Sequence, residues 1–129
     1  MMPLLFLVAA SADLDSLDQA VGRCDRGVVN PAFSNESARR SAFLLGAYRE
    51  QEAIVAARLD LSQRRRDLRE ASSKKASAEE QKLELENAAI EDRQRALNDQ
   101  RMLEGIRQDA MDAMRRYFLL NCPAGRIDK

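Results

Sequence analysis

The residues of this chain whose types could do chemistry are two cysteines and a scatter of paired carboxylates. Cys24 and Cys122 are the only cysteines among 129 residues. They form no C-x-x-C pair and the chain has no histidine, which argues against a redox-exchange pair or a zinc site. Two thiols this far apart suit a single cross-link. On the chain-entropy model, closing so long a loop is worth about 4–5 kcal/mol. Neighbouring carboxylates such as Glu79/Glu80 and Glu91/Asp92 have the groups for paired acid and base work. That work needs a dry pocket, which a charged helical segment does not offer. The missing histidine also removes the commonest general base and nucleophile partner, and no G-x-G-x-x-G or G-x-x-x-x-G-K-[ST] motif is present. The expectation is a non-enzyme, with no catalytic residue, no cofactor and no metal.

Whether the cysteines pair depends on compartment, and the opening residues bear on that. Leu4–Ala10 is an unbroken apolar run, and Ala10-Ser11-Ala12 sets small residues at the −3 and −1 positions of a cleavage site. The sequence therefore predicts a signal peptide over residues 1–12, cleaved after Ala12, and a mature chain 13–129 that is periplasmic or secreted. In such a compartment Cys24 and Cys122 pair. The alternative is an apolar cap that packs on a helix, in which case both cysteines are buried thiols. The run falls well short of the roughly 20 residues of a transmembrane helix, so no transmembrane segment is expected in the mature chain. No cysteine follows the small residues to carry a lipid.

Composition fixes the elements that must hold the cysteines. A third of the residues are charged and only 5% are aromatic, and neither Gly nor Pro occurs between Gly46 and Gly105. An all-β fold would need many turns there, so the class is all-α. Leu14, Leu17, Val21 and Cys24 recur at helical spacing and predict a short helix over 14–25 with Gly27 just past its end. Asn30-Pro31 reads as an N-cap and first helical residue of a second helix, 31–71. Ser72, Ser73 and the capping-box spacing of Ser77 and Glu80 predict a turn over 72–78. A third helix, 79–121, should stop before Pro123.

The two long helices should pair as an antiparallel hairpin resembling a coiled coil, about 60 Å long. Leu68 with Leu83, Leu61 with Ile90, Ile54 with Leu97 and Phe33 with Phe118 all have position numbers adding to 151. The first three pairs follow one another at the seven-residue step of a heptad seam. The same rule is less apt where it sets Ala47 opposite Glu104 and Arg40 opposite Met111. Arg58–Lys75 is mainly basic and Glu79–Asp92 mainly acidic, so the hairpin brings complementary charge together, with Arg65 opposite Glu86. The basic run Gln63–Glu70 thus reads as an internally paired, solvated face. With no interleaved aromatic residues and no net charge on the chain, no nucleic-acid partner is expected. Phe33, Phe43, Tyr48, Tyr117 and Phe118 fall toward the open end, which predicts a packed base with the first helix and the disulfide, and a thin polar arm beyond it.

The second helix carries more apolar surface than one seam needs. Leu44, Tyr48, Val55 and Leu59 lie roughly 80° to 140° round from Ile54 at 100° per residue. On the third helix Met102, Leu103, Ile106, Met111 and Met114 also spread over more than one side. Either the first helix covers these positions, or they form an interaction face, for which the candidates are Leu44, Tyr48, Val55, Leu59, Met102 and Ile106. The function expected is a protein-interaction or scaffold module that associates with itself or with a protein partner.

A secreted helical hairpin with a polar arm and a packed base, here Asn30 to Asn121, resembles the periplasmic Skp-type chaperones, whose arms grip unfolded outer-membrane proteins. The likeness is architectural, and no motif carries over residue by residue. The chain departs from that family in having no strand-like segments and no net positive charge. The resemblance implies a holdase as a second function. A small secreted inhibitor of a cell-envelope enzyme is a third, suggested by size and compartment alone.

Overall fold

Alanine, leucine, arginine, glutamate and glutamine dominate the chain from Ala38 to Asn121, and all are good helix formers. The computed structural model describes the backbone of residues 4–71 and 76–123 and the side chains of 13–71 and 76–123. These residues form three helices and no strand: α1 (Leu4–Gly22), α2 (Arg26–Ala71) and α3 (Ala76–Asn121). α2 and α3 are the two limbs of the hairpin, and a Cys24–Cys122 disulfide with a Cα separation of 5.5 Å joins the start of the first limb to the end of the second.

The helix ends differ from those the sequence predicts. α1 begins at Leu4 rather than at residue 14 and stops at Gly22 rather than 25. Its stop signal is Cys24. The Cys24 N–H donates to the Val21 carbonyl at 3.1 Å and the Asp25 N–H to the Ala20 carbonyl at 2.9 Å, while Cys24 adopts a φ of 54°. This is a Schellman ending with cysteine in the left-handed position that glycine usually takes. Asp25 then serves as the N-cap of α2, its carbonyl accepting from the N–H groups of Val28 and Val29 at 3.2 and 2.9 Å.

Asn30 is accordingly not a cap, and Gly27, Asn30 and Pro31 all lie inside α2. Tertiary packing overrides the local signal. Starting the helix at Arg26 brings Val29 to complete burial, and lets Arg26 donate to the carbonyls of Cys122 and Pro123 at 2.8 and 2.7 Å. The Arg26 guanidinium also lies 5.2 Å from the centre of the Phe118 ring. Pro31, however, has no N–H to give the Gly27 carbonyl. Pro31→Ala is expected to stabilise the chain by about 1 kcal/mol, the restored hydrogen bond being offset in part by a more flexible unfolded chain. A urea midpoint that fails to rise would count against this account.

At the far end of the hairpin, Ser72–Lys75 lie outside the described residues. α3 starts at Ala76, not 79, so Ser77 sits in its first turn rather than as the N-cap of a capping box. A serine costs little there, because N–H groups of the first turn have no intrahelical partner to lose.

Two compact units divide the chain: Met1–Ser41 with Gly105–Lys129, and Ala42–Glu104. In the first, Leu17, Ala20 and Val21 of α1 pack with Val29, Met111, Phe118 and Cys122, and Leu14, Ala32, Phe33 and Met114 close the edges. Phe33 meets Phe118 edge to face, with centroids 6.3 Å apart, as the pairing rule requires. Arg40 donates to Gln108 at 3.1 Å rather than facing Met111, which is buried in this core.

In the second unit Ile54, Leu61, Leu83, Ile90 and Leu97 form a buried seam flanked by Ala47, Ala57 and Leu68. Polar contacts lie along the same seam. Gln51 and Gln94 exchange two amide hydrogen bonds at 2.8 and 3.0 Å, and Glu50 accepts from Arg93 Nε at 2.8 Å. Arg58 bonds Glu91 at 3.3 Å. Glu86 is held by Arg64, not by Arg65. Arg64 lies about 60° round from Leu61 on the flank where Glu86, likewise three residues after Leu83, is placed, whereas Arg65 lies about 40° round on the opposite flank. The hydrogen bond from Arg64 holds the Glu86 carboxyl below its usual range, against an opposing effect of desolvation. The aromatic residues do not all gather in one core: Phe43 and Tyr48 belong to the second unit, and Tyr48 and Tyr117 are exposed.

Candidate interaction surface

Core formation decides which apolar residues are left over. α1 covers Val29, Met111 and Phe118, with Met114 packed at the edge, and none of the six candidate residues joins either core. Leu44, Tyr48, Val55, Leu59, Met102 and Ile106 are between 46% and 68% exposed. The option in which the first helix buries them is therefore overturned; among the described side chains of α1, Leu14, Leu17, Ala20 and Val21 pack into the first core instead.

Five of the six lie in the second unit. Leu44, Tyr48, Val55 and Leu59 follow one another on α2 at steps of four, seven and four residues, which keeps them on one side of the helix. Met102 is in the same unit on α3, and Ile106 belongs to the first unit. By helical angle Met102 and Ile106 point away from the seam, roughly 140° and 180° round from Leu97. The α2 stripe is thus the coherent element, and the α3 residues are a separate one.

The remaining candidates for chemistry are accounted for by ordinary contacts. Glu91 bonds Arg58 and Asp92 bonds Arg95, while Glu79 and Glu80 are exposed. Among the described residues no group of three or more His, Cys, Asp or Glu could hold a metal ion. No helix among them is long and apolar enough to cross a membrane.

Sequence reasoning missed a polar node in the first unit. Arg107 is the one buried charged residue among those described. It donates to Glu36 from Nε and Nη2, both at 3.1 Å, and from Nη2 to Asp13 at 3.0 Å. Glu36 also accepts from Arg39 at 2.8 and 3.0 Å and from Gln108 at 3.0 Å. Burial by itself pushes the Glu36 carboxyl up; the hydrogen bonds and charges of Arg39 and Arg107 outweigh it and hold the group at about 2. The same hydrogen bond to Glu36, with burial opposing, raises Arg107. The signal lay in spacing, since Arg107 stands four residues before Met111 and seven before Met114, in an apolar stripe. Leu119 and Leu120, both exposed, were also missed. In the run Tyr117-Phe118-Leu119-Leu120 every side of the helix is apolar, so some of it must face outward.

Compared with known proteins, the chain matches no protein-family model, no curated protein and no solved structure.

Proposed function

We propose that this chain is an exported, non-enzymatic helical protein, periplasmic or secreted, that works as an interaction or scaffold module and associates with itself. The observation that carries the reading is the exposed stripe of Leu44, Tyr48, Val55 and Leu59. Four large apolar side chains in line on one helix are costly to leave in water and gain when another surface covers them. Export is supported by the disulfide, which belongs to oxidising compartments, and by the run before Ala12. Cleavage after Ala12 leaves Asp13, and with it the Arg107 contact, in the mature chain.

Sedimentation velocity over a hundredfold range of concentration tests self-association. The wild type is expected to shift toward larger species as concentration rises. Val55→Lys is expected to hold the chain monomeric with unchanged helical content, because Val55 touches neither core. A wild type that stays monomeric throughout removes self-association from the reading. Intact mass of the protein from its native host tests export, and a mass that includes Met1–Ala12 would contradict it.

The exposure of Met102 and Ile106 favours a second reading, an Skp-like holdase, since exposed apolar side chains, one of them a flexible methionine, suit varied clients. Failure to slow the aggregation of an unfolded outer-membrane protein would count against it.

A further inference from the structure

We infer that the α2 stripe is the two-fold interface of an antiparallel homodimer, in which Leu44, Tyr48, Val55 and Leu59 pack on the same four residues of a second copy. The inference rests on the self-association reading above and fixes its partner and geometry. A two-fold interface needs a surface complementary to itself: if one residue meets another, the reverse contact must also form. The stripe has that property. Leu44 and Leu59 stand equally far from the midpoint between Gln51 and Glu52, and so do Tyr48 and Val55. Antiparallel pairing about that midpoint sets Leu44 against the second copy's Leu59 and Tyr48 against its Val55. With their two symmetry mates, these contacts run over about 22 Å of helix.

The charges beside the stripe are complementary in the same arrangement. Arg49 and Glu52 are exposed, and neither has an ion-pair partner among the described residues. Pairing about the midpoint brings Arg49 of one copy to Glu52 of the other, twice, and sets the two Glu52 side chains side by side at the axis, so that the two arginines offset the repulsion between the carboxylates. The spacing has a template inside this chain. Relative to the apolar contacts, Arg49 and the second copy's Glu52 hold the same offset that Arg58 and Glu91 hold relative to the Ile54/Leu97 and Leu61/Ile90 layers. That offset closes an ion pair at 3.3 Å between the antiparallel helices α2 and α3. A parallel, in-register pair of stripes would instead set each charge beside its own copy. Four side chains per copy make a small interface beside the roughly 1,200–2,000 Å² of stable complexes, so the dimer dissociates on dilution.

Sedimentation equilibrium on the full disulfide-bonded chain tests this with Arg49→Glu, Glu52→Arg, the double variant, and an equimolar mixture of the two single variants. Each single variant sets like charges across the interface and is expected to weaken dimerisation about tenfold, equivalent to about 1.4 kcal/mol. The double variant restores both pairs with reversed polarity. The mixture restores them as a heterodimer and also places an opposite charge across the axis at position 52, so the double variant is expected to return to wild-type affinity and the mixture to reach or exceed it. Both residues are exposed, so helical content checks that folding is unchanged. A wild-type dimer that is indifferent to the single variants, or a mixture that does not recover, overturns this geometry and leaves self-association standing. A wild type monomeric at every concentration overturns both, and a non-identical protein is then the occupant.

Discussion

Reducing the Cys24–Cys122 disulfide is expected to lower the unfolding free energy by about 4–5 kcal/mol, the chain-entropy value for so long a loop. The bond joins residues 98 apart in sequence. A domain of this size has total stability on the order of 10 kcal/mol, so the loss is a large part of the whole. Urea unfolding with and without reductant measures it, and unfolding curves that coincide would mean the cross-link is not formed in solution. The backbone at Cys24 adds a finer expectation. Its left-handed conformation costs an L-residue about 1 kcal/mol that glycine does not incur. In a Cys122→Ala background, Cys24→Gly is therefore expected to be more stable than Cys24→Ala by about that amount. Equal stability would mean that the α1 ending relaxes once the sulfur is gone.

Arg107→Ala is the second large effect, expected to cost about 3 kcal/mol. Removing the cation leaves the Glu36 carboxylate half-buried with only Arg39 and Gln108, and an uncompensated charge is costlier than an absent pair. The pH dependence follows from the direction of the Glu36 shift. Its folded-state value of about 2 lies below the ordinary 4.5, so folding favours the ionised form. The stabilisation is fully present above about pH 4.5 and is lost as pH falls toward 2. Allowing for solvent screening, Glu36 contributes on the order of 2 kcal/mol over that window. The wild type should lose that much more stability than Glu36→Gln between pH 4.5 and 2, measured by urea midpoints. Parallel pH profiles would show that the node carries no charge-dependent stability.

Pattern made the hairpin legible: heptad spacing and complementary charge depend on which residues recur, and many residues vote. The helix ends were less legible because one or two residues decide them. Asn30-Pro31 is a good local start signal, yet burial of Val29 and the reach of Arg26 to the end of α3 move the start back to Arg26. No local rule would choose cysteine as a helix stop; its place there is set by a partner far along the chain. The stripe could be read from helical angle, but its exposure could not, because that depends on which core the apolar residues of α1 join. The burial of Arg107 is not legible in the sequence, because single charged residues in an apolar stripe usually turn outward.

The contacts along the α2/α3 seam have a consequence for misfolding. Apolar layers repeating every seven residues are interchangeable: sliding one helix by a heptad would pair Leu61 with Leu97 and Leu68 with Ile90, or Ile54 with Ile90 and Leu61 with Leu83. Judged by hydrophobic contact alone, those shifted hairpins rival the native one. The polar residues discriminate. The first slip sets Arg64 against Arg93, the second sets Glu50 against Glu86, and either takes Gln94 away from Gln51. Adhesion between the helices thus comes from leucine and isoleucine, while the address at which they adhere is written in arginine, glutamate and glutamine.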